Sequence, residues 1–322
     1  MENIVKKKVL FVTEKWCDGN PDIGLTNSVH NLFGSFQHLY NGLELEYDFK
    51  TIHYDEIMLK GKHIDDFAQQ INDKMKPDVM ICTLLGTMSC NPSEKFFKVF
   101  KDAGCKIIFL WPDFGRDWTT IAAKRFDSFI DLNVAIACEK TIDFPKTLWT
   151  WTPEDPAYFC YDGTEKDIDV LFLGTIHSPE RFEYINYLKQ NLPKDVNTHL
   201  GGGQRHEKLS HEKYAELTRR AKIVINFPFS VAGNDQLKGR VFEATACNCL
   251  LLDRKNDRTK EYFIPGNEYV EYTTKEDLLN KIKYYLENEV ERKEIAHRGM
   301  EKFIQKWSHN KFWNLVFKEL NK

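Results

Sequence analysis

The segment GRVFEATACNCLLLD, residues 239–253, places Arg240 and Glu243 at the start of a short helical pattern that runs into an apolar stretch. A guanidinium at the amino-terminal end of a helix favours a diphosphate, because the helix dipole is positive there. A carboxylate in the same first turn can accept hydrogen bonds from both hydroxyls of a ribose. The spacing therefore predicts a nucleoside diphosphate site, with Val241 and Phe242 between the two charged residues.

The same two charged residues could instead form a salt bridge, because positions i and i+3 are neighbours on a helix. That alternative would leave Arg240 and Glu243 on a solvated face with no ligand. In either case the helix is expected to end at Asn248, a residue type that tolerates the left-handed cap conformation.

Two glycine-containing loops follow predicted strands of the same half of the chain. Ligands of open α/β sheets lie beyond the carboxyl ends of the strands. Gly174, beside Thr175, would let the backbone approach a ligand, although it could also serve an ordinary strand-to-helix turn. Gly201 and Gly202 could leave space for a base or a ribose, or could form only a flexible loop. Neither loop matches GxGxxG or GxxxxGK[ST], which disfavours nicotinamide, flavin and P-loop enzymes.

A catalytic base is expected from the first half of the chain. Asp113 ends the strand-like run IIFLWPD, where a carboxylate could deprotonate an acceptor hydroxyl, or could only cap a helix or bind the acceptor. Asp22 and His30 follow the first strand and compete for this acceptor-side role, with Gly24 permitting close approach. His30 could equally be a partly buried helix histidine.

Short apolar runs alternate with amphipathic segments through the 322 residues. Strand followed by helix, repeated, predicts an α/β protein with two Rossmann-like parallel-sheet domains facing a cleft. A proline- and aromatic-rich stretch without a clear period separates the two halves and predicts a linker. The expected divisions are a first Rossmann-like domain, a linker, a second Rossmann-like domain and a last helix, at residues 1–150, 151–168, 169–303 and 304–322.

Composition restricts the classes of partner. The net charge of −3 and the absence of a sustained basic run disfavour nucleic acid as a partner. Eight cysteines without a repeated CxxC pair predict free thiols in a reducing, cytoplasmic setting. The only apolar run near the amino terminus is VLFV, which is too short for a signal peptide or a membrane span. The triplet DID, residues 167–169, precedes a strand and so lies at the wrong end for a ligand site; no metal is predicted.

The segment 239–253, together with YAELTRRAKIVINF before it and FIPGNEYVEYTTKEDLLNKIKYYL after it, resembles the carboxyl-terminal half of GT-B glycosyltransferases, especially the CgeB-like group. TPEDPAYF followed by DVLFLGT resembles the interdomain segment of that group. The resemblance implies that Glu243 holds the donor ribose, that Arg240 holds the diphosphate, and that Gly174 follows the first strand of the donor domain. Asn248 departs from the usual glycine, and no second glutamate of an EGFG-like segment precedes Glu243.

The resemblance implies a hexosyl- or other glycosyltransferase (EC 2.4 class) that moves a sugar from a nucleoside diphosphate to a glycan, protein or small-molecule acceptor. It also implies that residues 1–150 bind the acceptor and that residues 169–303 bind the nucleotide-sugar donor. No metal or other cofactor is expected, because Arg240 and helix dipoles would stabilise the departing diphosphate. The last helix is expected to cross back onto the first domain and pack there through Trp307, Phe312 and Trp313. The alternatives are a nucleotide-sugar epimerase of the same fold and a non-catalytic nucleotide-sugar binding module.

Overall fold

The computed structural model describes residues 6–26, 28–41, 44–45, 47–112, 117–136, 144–176, 178–201, 209–228 and 235–322. The chain divides into two compact units. The first unit comprises Met1–Asp155 and His309–Lys322, and the second comprises Pro156–Ser308.

The first unit contains a parallel sheet in the order β4-β1-β5-β6-β7-β8 and a separate antiparallel pair, β2 with β3. Its strands are β1 Lys8–Thr13, β2 Tyr40–Asn41, β3 Glu44–Leu45, β4 Asp48–His53, β5 Val79–Cys82, β6 Lys106–Pro112, β7 Leu132–Ile136 and β8 Thr147–Thr150. The helices among them are α1 Gly34–Gln37, α2 Tyr54–Leu59, α3 Ala68–Met75, α4 Glu94–Asp102 and α5 Asp117–Phe126. Short 3₁₀ or π-helical turns occupy Cys17–Gly19, Pro21–Ile23, Ser28–Phe33 and Ile64–Phe67.

The second unit contains a parallel sheet in the order β10-β9-β11-β12-β13. Its elements are β9 Ile168–Phe172, α6 Pro179–Asn191, β10 Thr198–Leu200, α7 His211–Arg220, β11 Ala221–Asn226, α8 Gly239–Ala246, β12 Leu250–Arg254, α9 Asp257–Lys260, β13 Val270–Tyr272, α10 Lys275–Glu287 and α11 Glu289–Lys302. A π-helical turn, Phe303–Trp307, follows α11, and α12 His309–Leu320 ends the chain.

Burial on both faces of the sheet explains why the sequences of the central strands are continuous apolar runs. Every residue of β5 and of β7 is buried, as expected for parallel strands covered by helices on both sides. Aromatic side chains fill much of the first core, where Phe97 packs against Phe109 and Phe126. In the second core Phe227 packs against Phe172 at a centroid distance of 5.0 Å. The predicted pair of parallel, Rossmann-like sheets is therefore confirmed.

The last helix belongs to the first unit, as predicted. Trp313 is fully buried, and its indole Nε1 donates a hydrogen bond of 3.0 Å to the Ser35 hydroxyl. Its ring also packs edge-to-face on Phe36. Phe312, likewise fully buried, packs edge-to-face on Trp151 of the same unit at 5.8 Å.

The prediction for Trp307 is wrong. Its indole donates to the Tyr262 carbonyl at 3.1 Å and its ring packs on the Tyr262 ring, both within the second unit. The physical reason is a break in the helical backbone: Ser308 has extended dihedral angles, φ −61° and ψ 161°, between the π-helical turn and α12. Trp307 therefore lies before the break, in the second unit, whereas the first unit resumes at His309.

Two further properties concern the described residues. No helix among them combines the length and apolar character needed to cross a membrane. The described cysteines are free thiols, buried except for the partly exposed Cys17 and Cys160.

Candidate functional site

The carboxyl ends of four neighbouring strands bring polar and glycine residues to one edge of the second sheet. Because β10, β9, β11 and β12 are parallel neighbours, the residues that end or follow them lie along the same edge. These residues are Gly201 after β10, Gly174 after β9, Asn226 at the end of β11 and Asp253 near the end of β12.

Arg240 extends from the first turn of α8 to this edge. Its Nη1 donates to Asn226 Oδ1 at 3.0 Å, and its Nη2 donates to the Leu173 carbonyl. The guanidinium lies over the Phe172 ring, with its carbon 5.0 Å from the ring centroid. A planar group held by two acceptors and an aromatic face has little freedom, so the charge of Arg240 is fixed at the end of β9.

A buried hydrogen-bond network orients the acceptor on which Arg240 depends. Asn226 Nδ2 donates to Asp253 Oδ1 at 2.9 Å, which turns the Asn226 carbonyl oxygen toward Arg240. The second oxygen of Asp253 accepts from the Thr259 hydroxyl at 2.6 Å and from Asn256 Nδ2 at 3.0 Å. Asn226 and Asp253 are both fully buried, so the whole network lies out of water.

Burial raises the pKa of Asp253 to about 6, because desolvation disfavours the charged carboxylate. The three side-chain hydrogen bonds from Thr259, Asn226 and Asn256 act in the opposite direction by stabilising the ionised form. The carboxylate is therefore retained at neutral pH at a cost in folding free energy.

Gly174 is required by the position of the guanidinium. A Cβ at this residue would lie 2.9 Å from Arg240 Nη2 and 3.2 Å from the Phe172 ring. The backbone after Gly174 holds a second cation, since Arg181 Nη1 donates to the Thr175 carbonyl at 3.1 Å. Burial and, second, the charge of Arg240 lower the pKa of Arg181, so the two guanidinium groups are close enough to repel.

The start of α8 and the head group of Arg240 leave positive charge unpaired. Lys238 precedes the helix without a side-chain cap, whereas Ser178 caps α6 and Asn256 caps α9. Within the described part of the chain, no carboxylate lies within ion-pair distance of Arg240, and its Nε is buried without an acceptor. The edge therefore has the electrostatic character of an anion site.

Glu243 is buried, with 9% of its surface exposed. Its Oε2 accepts a hydrogen bond from the Tyr214 hydroxyl of α7, and its Oε1 has no partner among the described residues. Burial raises the pKa of Glu243, while the Tyr214 hydrogen bond and the charge of Arg240 lower it. The alternative of a solvated Arg240–Glu243 salt bridge is wrong, because Glu243 is buried and pairs with Tyr214 instead.

The other residues predicted around the donor have different positions. The side chains of Val241 and Phe242 are fully buried, and Phe242 packs against Tyr262 and Phe263. They can contact a ligand only through the backbone. Gly201 has φ +124° and its N–H donates to the Phe172 carbonyl at 2.9 Å, while Gly202 lies outside the described residues.

The predicted helix end at Asn248 is confirmed. Asn248 has φ +55°, in the left-handed region, immediately after the carboxyl-terminal cap of α8. A single residue of this conformation turns the chain directly into β12.

The predicted acceptor-side residues lie in the first unit, in the segment after β1. Asp22 is exposed in the turn Pro21–Ile23, and Gly24 has φ +93° with open space where a Cβ would stand. His30 is partly exposed in the turn Ser28–Phe33. Asp113 lies outside the described residues.

Two carboxylates that sequence reasoning missed hold this segment. Glu14, directly after β1, accepts hydrogen bonds from Ser28 at 2.6 Å, from Thr83 at 2.5 Å and from Tyr54 at 3.1 Å. Fully buried Asp55 accepts from the backbone of Lys15 and Trp16. The available signal was the position of Glu14: a carboxylate immediately after an apolar strand.

The two aspartates of the DID triplet form ion pairs within the second unit. Asp167 pairs with Arg220 at 2.6 Å and Asp169 with Lys222 at 2.6 Å, at the amino end of β9. In the described part of the chain, no three His, Cys, Asp or Glu side chains are grouped as metal ligands.

Residues 174–315 match the family model Glyco_trans_1_2, described as glycosyl transferase-like. No curated protein matches the sequence. The structure is similar to that of Alr3699/HepE from Anabaena in complex with UDP and glucose, with a TM-score of 0.59 at 11% identity, over 97% of this chain and 99% of that one.

Two other solved structures have the same fold. A glycosyltransferase from Rickettsia africae matches with a TM-score of 0.55 at 12% identity, over 98% of this chain and 99% of its own. A putative UDP-N-acetylglucosamine 2-epimerase from Listeria monocytogenes matches with a TM-score of 0.53 at 11% identity, over 97% and 95%. At these identities the likeness shows the fold, which is GT-B-like.

Asp253 provides a test of the buried network. Because its pKa is about 6 in the folded protein and 3.8 as its ordinary value, the folded state binds more protons between these values. The contribution of Asp253 to stability is therefore fully present below pH 3.8 and is lost as the pH rises through 6. Relative to Asp253→Asn, the wild-type free energy of unfolding should fall by about 3 kcal/mol over this range.

Urea unfolding of both proteins across this pH range measures the effect. Asp257→Asn is the matched control, since the Asp257 side chain is 98% exposed on neighbouring α9. The wild-type minus Asp257→Asn difference should change less over this range than the Asp253→Asn difference, because solvent screens an exposed side chain. A difference of equal size for the two variants would contradict the special role of burial at Asp253.

Proposed function

We propose that this chain, whose residues 174–315 belong to the glycosyl transferase-like family, transfers a sugar from a nucleoside diphosphate sugar to an acceptor hydroxyl. The observation that carries the proposal is the placement of Arg240. Its guanidinium is fixed at the carboxyl edge of the second sheet, beside Gly174 and near Arg181, without a carboxylate partner among the described residues. A fixed cation without an ion-pair partner in the described part of the chain suits a ligand that brings its own negative charge.

In this proposal the diphosphate lies at the start of α8. The uncapped first turn offers N–H groups, and Arg240 supplies a fixed positive charge. When the bond between the sugar and the diphosphate breaks, negative charge grows on the departing diphosphate. Groups that are already oriented toward it stabilise that charge without rearrangement. Arg181 adds a second positive charge nearby. We propose that these groups do the work that a metal ion does in other transferases.

Glu243 is proposed to hold the ribose. Tyr214 occupies Oε2, which leaves Oε1 to accept a hydrogen bond from a ribose hydroxyl. The hydrogen bond from Tyr214 also favours the ionised form against the effect of burial. A buried carboxylate held in one orientation loses little freedom on binding, which favours affinity.

The proposed donor is a uridine diphosphate sugar. HepE, which shares the fold, has been solved in complex with UDP-glucose. The described contacts do not specify which sugar or which acceptor is used, so UDP is the appropriate first probe.

Arg240 tests the diphosphate site. UDP should bind the wild type, and Arg240→Ala should weaken binding by about 10- to 100-fold, because a hydrogen bond to a charged group contributes about 1.5–3 kcal/mol. Arg240→Lys should recover only part of the loss, since an ammonium cannot serve Asn226, Leu173 and a diphosphate together.

Isothermal titration calorimetry with UDP measures these affinities. The control is Arg298→Ala, which removes a partly exposed arginine of α11 in the same unit. It should leave the affinity unchanged. Equal binding of UDP by wild type and Arg240→Ala would contradict the proposed site.

Glu243 tests the ribose contact through a ratio of two ligands. The wild type should bind UDP at least about tenfold more tightly than it binds 2′,3′-dideoxyuridine diphosphate, because only UDP has ribose hydroxyls that can donate a hydrogen bond to the carboxylate. Glu243→Gln should reduce this ratio toward one. The ratio should also fall in the wild type as the pH decreases, since the pKa of Glu243 is raised and its protonated form accepts more weakly.

Both ligands carry the same diphosphate, so protonation of the phosphate does not affect the ratio. The experiment is a titration of each ligand into wild type and Glu243→Gln at several pH values. A wild-type ratio near one at all pH values would mean that Glu243 is a purely structural partner of Tyr214.

Turnover separates the proposed transferase from its alternatives. UDP-glucose and UDP-N-acetylglucosamine are incubated with simple glycoside acceptors, and the products are separated by chromatography. Transfer should yield UDP and a new glycoside at a rate unchanged by EDTA. Conversion of the nucleotide sugar in the absence of an acceptor would identify an epimerase. Binding of the nucleotide sugar without any product would favour a binding module. Loss of activity with EDTA that Mg²⁺ or Mn²⁺ restores would contradict metal independence.

A further inference from the structure

A cavity of about 340 Å³ lies in the first unit, at the β4 end of its sheet. Strand β4 is the edge strand, and the cavity is bounded by β4, α2, α3 and the segment between the two helices. It is lined by Ile52, Ile57, Lys60, Lys62, Phe67, Gln70, Ile71 and Lys74. Its volume falls in the range of roughly 300–1,000 Å³ that is usual for small-molecule sites.

The lining combines an apolar interior with a basic rim. Four side chains are large and apolar, namely Ile52, Ile57, Phe67 and Ile71, and none of the lining residues is acidic. The three lysines are exposed. Lysine stems commonly cover apolar surface while the ammonium stays in water, so such a rim places positive charge around an apolar entrance.

The lysines are not neutralised within the fold. Among the described residues, none of Lys60, Lys62 and Lys74 has an ion-pair partner within 4 Å; the ammonium of Lys62 lies 5.6 Å from the Phe67 ring centroid. Glu56, whose pKa Lys60 helps to lower, is paired with Lys15 at 2.7 Å. The three lysines therefore present positive charge that an anionic ligand can neutralise.

We propose that this cavity binds a single-chain anionic amphiphile, with its apolar chain in the cavity and its phosphate or carboxylate head among Lys60, Lys62 and Lys74. A concave apolar surface suits a chain that enters it, whereas contact with a bilayer needs an apolar face that protrudes. The basic rim accounts for the choice of an anion over a neutral lipid. All its lining residues belong to the first unit, whereas the residues of the proposed donor site belong to the second.

Dodecyl phosphate below its critical micelle concentration is the probe. It should bind saturably with one molecule per chain. Inorganic phosphate and butyl phosphate should bind at least about tenfold more weakly because they lack the chain, and dodecyl maltoside should bind more weakly because it lacks the charge. Isothermal titration calorimetry measures all four ligands in the absence of any nucleotide, so the result is independent of the proposed transferase activity.

Two sets of variants distinguish the site from general surface charge. The triple variant Lys60→Glu, Lys62→Glu, Lys74→Glu should weaken binding of dodecyl phosphate by about 10- to 100-fold, since three modest attractions become repulsions. The matched control carries the same charge change at exposed lysines elsewhere in the first unit, Lys95→Glu, Lys124→Glu, Lys318→Glu, and should bind as the wild type does. Circular dichroism verifies that both variants are folded.

Three results would overturn the proposal. Equal weakening in the two triple variants would show attraction to net charge alone. Equal affinity for dodecyl phosphate and inorganic phosphate would show that the cavity takes no chain. Binding to anionic phospholipid vesicles without binding of monomeric dodecyl phosphate would identify a membrane-surface contact instead.

A further variant, Ile71→Ser, tests the apolar interior. It should weaken the binding of dodecyl phosphate and leave the weak binding of inorganic phosphate unchanged.

Discussion

The side chain of Asn226 joins a buried carboxylate to a guanidinium, and the arrangement of the second sheet's carboxyl edge depends on that connection. Asp253 fixes the Asn226 amide, and Asn226 in turn fixes Arg240. A Cβ at position 174 would crowd Arg240 Nη2, so a side chain there would require the guanidinium to shift. A buried polar network of this kind is unfavourable unless each member is satisfied, and here Thr259 and Asn256 complete it. The raised pKa of Asp253 reflects the desolvation that the site requires.

The first unit uses the same principle at its own carboxyl edge, with a different outcome. Glu14 collects hydroxyl donors from residues that follow β4 and β5 and from the segment after β1. Asp55 binds backbone N–H groups of that segment. Both carboxylates have their hydrogen-bonding capacity largely occupied within the fold, so they fix a loop instead of offering charge to a ligand. Arg240 differs because its charge has no counterion among the described residues.

The two proposed ligand sites differ in the way they recognise a ligand. The edge of the second sheet offers few, fixed groups: one guanidinium, an uncapped helix start and one carboxylate oxygen that has no partner among the described residues. The cavity beside β4 offers apolar area and exposed lysines. Fixed groups discriminate between closely related polar ligands, whereas an apolar cavity with a charged rim selects mainly for size and charge.

The sequence alone determined the alternation of strands and helices, the two parallel sheets and the left-handed turn at Asn248, because hydrophobic period and turn chemistry are local properties. It also placed Gly174 after a strand, and Arg240 and Glu243 at the start of a helix. In a parallel sheet the strand ends that lead into helices share one edge, so these residues were expected near one another. Only the tertiary structure decided the partners: Tyr214 for Glu243, Asn226 for Arg240, and the second unit for Trp307. Such contacts join residues far apart in the chain, so they depend on how the helices pack against the sheet. Local sequence patterns do not predict that packing.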